Sequence, residues 1–154
     1  MLLKLLNKIP NWLIWSMVAF AFIGMIDAFY LTYTHYTGTE IVCTIYAGCN
    51  EVAQSEYSKL FGIPLSLLGT FYYFTVLFLS LLYIDTKKHI FAVLIIPIAT
   101  FGFLFSIYLT YLQLWVIEAL CIYCLSSGVT SSLLFIFSMV MLFLCHKKPC
   151  QNCS

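Results

Sequence analysis

Arginine is absent from this 154-residue chain, and charge of any kind is scarce: seven lysines and six acids amount to 8% of the residues, with a formal net charge of +1. A chain so poor in positive charge has no surface with which to hold a phosphate backbone, and it carries none of the usual nucleic-acid motifs. So little charge beside 63% hydrophobic residues also excludes an ordinary soluble domain. There is no internal repeat and no Gly/Ser- or Pro-rich linker, which argues against a repeat array or a second domain. What is left is a membrane protein.

Four apolar stretches, at about 12–33, 63–84, 90–115 and 122–144, suit a hydrocarbon core about 30 Å thick, which takes roughly 20 helical residues to cross. They predict an all-α, four-helix membrane bundle, one domain over residues 1–154, with a loop at 34–62 and a tail at 145–154. Lys4, Lys8, Lys87, Lys88, Lys147 and Lys148 fall on one side, while the 34–62 loop has Lys59 alone with Glu40, Glu51 and Glu56. By the positive-inside rule both termini are expected in the cytoplasm of a cell bounded by this (inner) membrane, with loop 34–62 and turn 116–121 outside. Ala19-Phe20-Ala21 imitates a signal-cleavage site, but the apolar run continues to Tyr33, which predicts a retained anchor.

Inside the outer loop, Thr37-Gly38-Thr39 reads as a turn, and 50–57 as a short helix capped by Asn50. Val52, Ala53, Tyr57, Leu60 and Phe61 give that segment one apolar side, so it is expected to lie on the membrane surface as a lid. Gly62 and Pro64 suit the entry to the second span, with Pro64 in its first turn.

Two cysteine pairs fall on the outer side under this topology. Cys121-Ile122-Tyr123-Cys124 opens the last span, where free N–H groups and the helix dipole stabilise a thiolate; the rival reading is two buried apolar thiols. Cys43 and Cys49 are spaced for a structural staple as readily as for a shuttle, yet a second pair on the same face supplies each sulfur with an exchange partner. Four cysteines also suffice for zinc. The alternative to a redox enzyme is therefore a small transporter or metal-handling protein with soft-cation ligands, although thiols facing an oxidising compartment favour disulfides and no metal site is expected. Cys150 and Cys153, near His146 and Cys145, fall on the reducing side and read as incidental. Asp27, the acid inside the first span, is expected to face a partner, a wet cavity or the interface.

The order Cys43, Cys49, Ser55, then Phe61-Gly62-Ile63-Pro64-Leu65-Ser66-Leu67-Leu68-Gly69, then Cys121-x-x-Cys124 resembles the vitamin K epoxide reductase family in its bacterial and archaeal branch, over about residues 20–135. The resemblance implies a four-helix bundle that holds a quinone at its outer face and reoxidises a thioredoxin-fold partner for disulfide formation. Carried over, it makes Cys49 the sulfur attacked by the reduced partner, Cys43 the relay to Cys121, and Cys124 the sulfur facing the quinone. Ser55 completes the catalytic set, its hydroxyl bonding a sulfur or orienting the lid. Leu65, Leu68, Phe71 and Tyr72 are the candidates for an apolar quinone-binding wall, plain helix packing being their other reading. Where the mammalian branch places Asn and Tyr, this chain has Leu65 and Gly128. A respiratory quinone of the ubiquinone or menaquinone type is accordingly expected in place of vitamin K epoxide. Some bacterial relatives carry a fused thioredoxin-fold domain; here only 145–154 follows, so the partner is expected to be a separate protein on the outer side. The other four-helix quinone reductase of disulfide formation has its two pairs in the reverse order.

Overall fold

A backbone in hydrocarbon must satisfy its own N–H and C=O groups, and in this chain helices do so. The computed structural model describes residues 10–39, 41, 49–60, 62–86 and 88–146; Cys43, five of the six orientation lysines and the Cys150/Cys153 tail lie outside them. Four long helices, α1 (Asn11–Thr37), α3 (Leu65–Thr86), α4 (His89–Trp115) and α5 (Ile122–His146), are each long and apolar enough to cross a membrane. A short helix α2 (Cys49–Gln54), a 3-10 turn (Glu56–Ser58) and a hairpin of β1 (Lys59–Leu60) and β2 (Ile63–Pro64) fill the span between α1 and α3. The protein is a multi-pass, all-α membrane bundle.

Three boundaries differ from those expected. The first helix runs on to Thr37, because Thr34 and Thr37 turn their hydroxyls back onto carbonyls three and four residues earlier and so remain compatible with helix; Gly38, at φ 66°, then ends it. Pro64 precedes the second span instead of sitting in its first turn, since Ile63–Pro64 pairs with Lys59–Leu60. The lid helix begins at Cys49, so Asn50 lies within it and does not cap it.

Around the bundle the order is α1, α3, α4, α5, each helix packing on its two neighbours. Large apolar side chains such as Phe22, Phe29, Phe78 and Phe143 point outward, as lipid allows. Exposed Trp12 and Trp15 mark one end of α1, and Tyr33 and Tyr36 the other; the stacked Tyr111 and Trp115 sit at the end of α4, giving aromatic belts at the interfaces. Hydroxyls within the spans donate to carbonyls four residues back, as Ser80 does to Val76 and Thr100 to Ile96, so they carry no unmet donor into the hydrocarbon. Pro97 lies inside α4.

The interior is layered. Leu13, Ile14, Tyr83, Ala92 and Met141 pack at one end, and Met17, Ala21, Ala28, Tyr73, Val76, Ile95 and Leu134 in the middle. At the lid end the layer is Ile41, Cys49 and Cys121. Gly24 is where α1 meets α3, because a Cβ there would overlap the Tyr73 ring. That ring cannot retreat: its hydroxyl donates to the Ser127 carbonyl at 2.6 Å and meets Ser127 Oγ at 2.8 Å, tying α3 to α5. Gly24→Ala is expected to cost about 1–3 kcal/mol through overpacking, read as a lowered unfolding midpoint in detergent.

Candidate functional site

The site starts from the turn between α4 and α5. α4 closes at its C-cap Val116, which with Ile117 donates to the Leu112 carbonyl, and Glu118 takes a left-handed conformation at φ 53° in the turn that follows. Gln113, buried on the last turn of α4, accepts the Cys121 N–H on Oε1 at 3.2 Å. The Cys121 carbonyl accepts the first helical bond of α5, from Leu125, which makes Cys121 the N-cap of that helix. Its sulfur therefore lies where unpaired N–H groups converge.

The Cys121 thiol is lowered to about 7. The hydrogen bond from the Cys124 thiol is the chief cause, burial opposes it, and the N–H groups of Cys124 and Tyr123 add to the lowering. In the reduced protein the Cys121 thiolate should be half formed near neutral pH and fall roughly tenfold per pH unit below it. Thiolate absorbance compared with a Cys121→Ala variant measures this, and Cys124→Ala, which removes the chief cause, should return the titration toward the ordinary thiol range.

Cys49 is disulfide-bonded, whereas Cys121 and Cys124 are free thiols. Cys43, its expected partner, lies outside the described residues. Cys49 is 0% and Cys121 1% exposed, and the two share the lid-end cluster with Val52, Ala53 and Tyr30 packed against it. The resemblance makes Cys49 the sulfur attacked by the reduced partner; here it is buried within the lid helix.

A cavity of about 610 Å³ lies beneath the lid. Leu65, Leu68, Phe71 and Tyr72 line it, as do Cys121 and Cys124, so these expected residues share one space. Val52, Ala53 and Ser55 of the lid form its roof, and Leu65 and Gly128 stand in its wall. Phe71 on α3 and Phe101 on α4 line it too, yet are 62% and 68% exposed, so the cavity reaches the lipid-facing surface between these helices. Ser55 donates to the Val52 carbonyl at 2.8 Å and its own carbonyl accepts the Ser58 N–H, so its hydroxyl orients the lid. Of the lid's expected apolar side, Val52 and Ala53 pack inward, while Tyr57 is 51% exposed.

Asp27 lies outside the cavity wall, on the seam of α1 and α5, where it accepts a 2.8 Å hydrogen bond from Ser126. It thus meets a partner within the span, as one of its expected settings required. Among the described residues no three His, Cys, Asp or Glu side chains gather as a metal-binding group.

Sequence reasoning missed Gln113, His35, Ser127 and Ser131, all of which line the cavity. The serines were within reach, because positions three and seven after Cys124 share its helical face. Gln113 and His35 carried no such signal: only the folding of α1 and α4 around the cavity brings them there.

Two comparisons with known proteins bear on this arrangement. The thiol-disulfide oxidoreductase LTO1 of Arabidopsis thaliana is 42% identical over 57 residues, a stretch that covers 36% of this chain and 15% of that protein. The match to the vitamin K epoxide reductase family runs over residues 15–139. Because that stretch takes in both cysteine pairs, the lid and the entire cavity wall, it is to the vitamin K epoxide reductase family that the chain belongs.

Proposed function

We propose that this protein is a quinone-dependent thiol oxidase that reoxidises a thioredoxin-fold partner. The observation that carries the reading is the meeting of Cys121 and Cys124 with a largely apolar cavity open to the lipid between α3 and α4. A quinone held there would take up two electrons and two protons as a quinol. Leu65, Leu68 and Phe71 would hold its ring and tail by apolar contact. The relative's name, a thiol-disulfide oxidoreductase, supports the same chemistry.

The residues act by thiol–disulfide exchange. The partner's dithiol reduces the loop disulfide, becoming a disulfide itself and leaving Cys43 and Cys49 as thiols. The loop dithiol then attacks a Cys121–Cys124 disulfide, closing the loop disulfide again and leaving two thiols at the cavity. These give up two electrons and two protons and rejoin as Cys121–Cys124. A disulfide at Cys49 beside free thiols at Cys121 and Cys124 fits the state ready for that last step, if Cys43 is its other half as the resemblance implies. Ser55 keeps the lid turn intact over the cavity.

Burial of Cys49 in one cluster with Cys121 supports the opposite order of the loop sulfurs from that implied by the resemblance. In this order Cys43 receives the partner and Cys49 hands over to Cys121. The lysine distribution supports cytoplasmic termini, with the lid facing the oxidising compartment.

The test is stoichiometric. Detergent-purified protein, given a reduced thioredoxin-fold protein and a short-chain ubiquinone or menaquinone, should form one quinol for each pair of partner thiols lost. Thiol loss without quinol formation would refute the reading.

A further inference from the structure

Ring recognition in this cavity must come from groups other than the two positions at which the mammalian branch carries Asn and Tyr. Leu65 offers no donor, and Gly128 offers no side chain. At Gly128 the space is open: a Cβ there would have Thr110 Oγ1 as its nearest neighbour, at 4.0 Å. A flat ring can therefore lie against α5 just below Cys124.

Among the cavity hydroxyls, that of Ser58 in the lid is buried with no hydrogen-bond partner among the described residues, and those of α3 and α5 differ in how firmly they are held. Ser127 is engaged with Tyr73, whose single proton goes to the Ser127 carbonyl, so neither has a donor to spare. Thr75 donates to the Phe71 carbonyl. Tyr72 and Ser131 differ. Their oxygens stand 3.4 Å apart, at the long limit of a hydrogen bond, and both residues line the cavity. A weakly held pair of hydroxyls in an apolar wall can turn a proton to a ligand at little cost.

Position supports the same choice. Ser131 lies seven residues after Cys124 on the same helical face, about 10 Å along the axis, which leaves room for a quinone ring with a contact at either end. Tyr72 is held there by α4: a Cβ on Gly102 would overlap its ring, so that glycine is the seat in which the ring lies. The Tyr72 ring also meets the fixed Tyr73 ring edge-on at 4.9 Å, which limits its rotation.

We infer that the Tyr72 hydroxyl, backed by Ser131, donates the hydrogen bond that receives the quinone carbonyl oxygen remote from Cys124, and so sets the ring's depth beneath the C-x-x-C pair. The inference rests on the proposed quinone-dependent reading and adds to it the polar half of the ring site.

The full chain in detergent, with a short-chain ubiquinone as the probe, tests it. Tyr72→Phe and Ser131→Ala should each raise the KM for the quinone about three- to tenfold, the scale of one lost hydrogen bond. The rate at which a small dithiol reduces the loop disulfide should be unchanged in both. Because the hydroxyls act as a pair, the double variant should be little worse than Tyr72→Phe. Gly102→Ala, which displaces the ring while keeping its hydroxyl, should raise KM as well, so the result does not hang on one variant folding. An unchanged KM in Tyr72→Phe and Ser131→Ala, with wild-type quinol formation intact, would overturn this inference alone. Absence of quinol formation by the wild type would remove the underlying reading, and the inference with it.

Discussion

Cys121→Ser protein is expected to form no measurable quinol from any thiol donor, while its helical content and its loop disulfide remain as in the wild type. The reason is electron counting: a hydroxyl cannot enter disulfide exchange, so Cys124 alone cannot deliver two electrons as a disulfide. Cys124→Ala should be as inactive in turnover, yet it should behave differently in partial reactions. Its Cys121 retains the N-cap position but loses the hydrogen bond that chiefly lowers its pKa, so near neutral pH Cys121 should react more slowly with small disulfides than it does in the reduced wild type. Quinol absorbance and thiol counting on the same sample read both effects. Turnover by Cys121→Ser would show that electrons reach the acceptor by another route.

In a Cys43→Ala variant supplied with quinone, a Cys49–Cys121 disulfide should accumulate, because Cys49 attacks Cys121 and no second loop sulfur remains to release it. In Cys49→Ala the corresponding Cys43–Cys121 species should be scarce. The expectation follows from burial: Cys49 lies at the start of the lid helix, fully enclosed with Cys121 and Ile41. Peptide mapping without reduction distinguishes the two species by mass. The opposite pattern, with Cys43–Cys121 predominant, would restore the order that the family resemblance implies and would require the lid to rearrange before exchange.

Much of the architecture was legible from residue order alone. Runs of apolar residues too long for a soluble core predict the four spans, and the helices found reach within a few residues of them. The departures have local causes. Thr34 and Thr37 looked like loop residues but close helical hydrogen bonds with their own backbone, and Pro64 looked like a helix starter but is taken up by a two-residue hairpin.

The candidate site was readable to the same partial degree. Cys121 and Cys124 announce themselves by spacing, and Leu65, Leu68, Phe71 and Tyr72 are candidates through the family resemblance and their apolar or aromatic character; all line one cavity. What spacing could not show is which hydroxyls are engaged. Tyr72 and Tyr73 are adjacent and chemically alike, yet one is locked to Ser127 and the other rests loosely by Ser131. That difference depends on Gly24 and Gly102, which lie far away in the chain and admit the two rings.

Composition by itself thus determined that the chain is a membrane bundle, and cysteine order determined its family resemblance, because hydropathy and short-range spacing are properties of the chain as written. Only tertiary structure decided that Cys49 lies enclosed with Cys121, that Asp27 meets Ser126 outside the cavity, and that the Tyr72 hydroxyl sits 3.4 Å from that of Ser131. Each of these depends on side chains from different helices competing for the same small volume, and in a close-packed interior that competition is settled only when the helices meet.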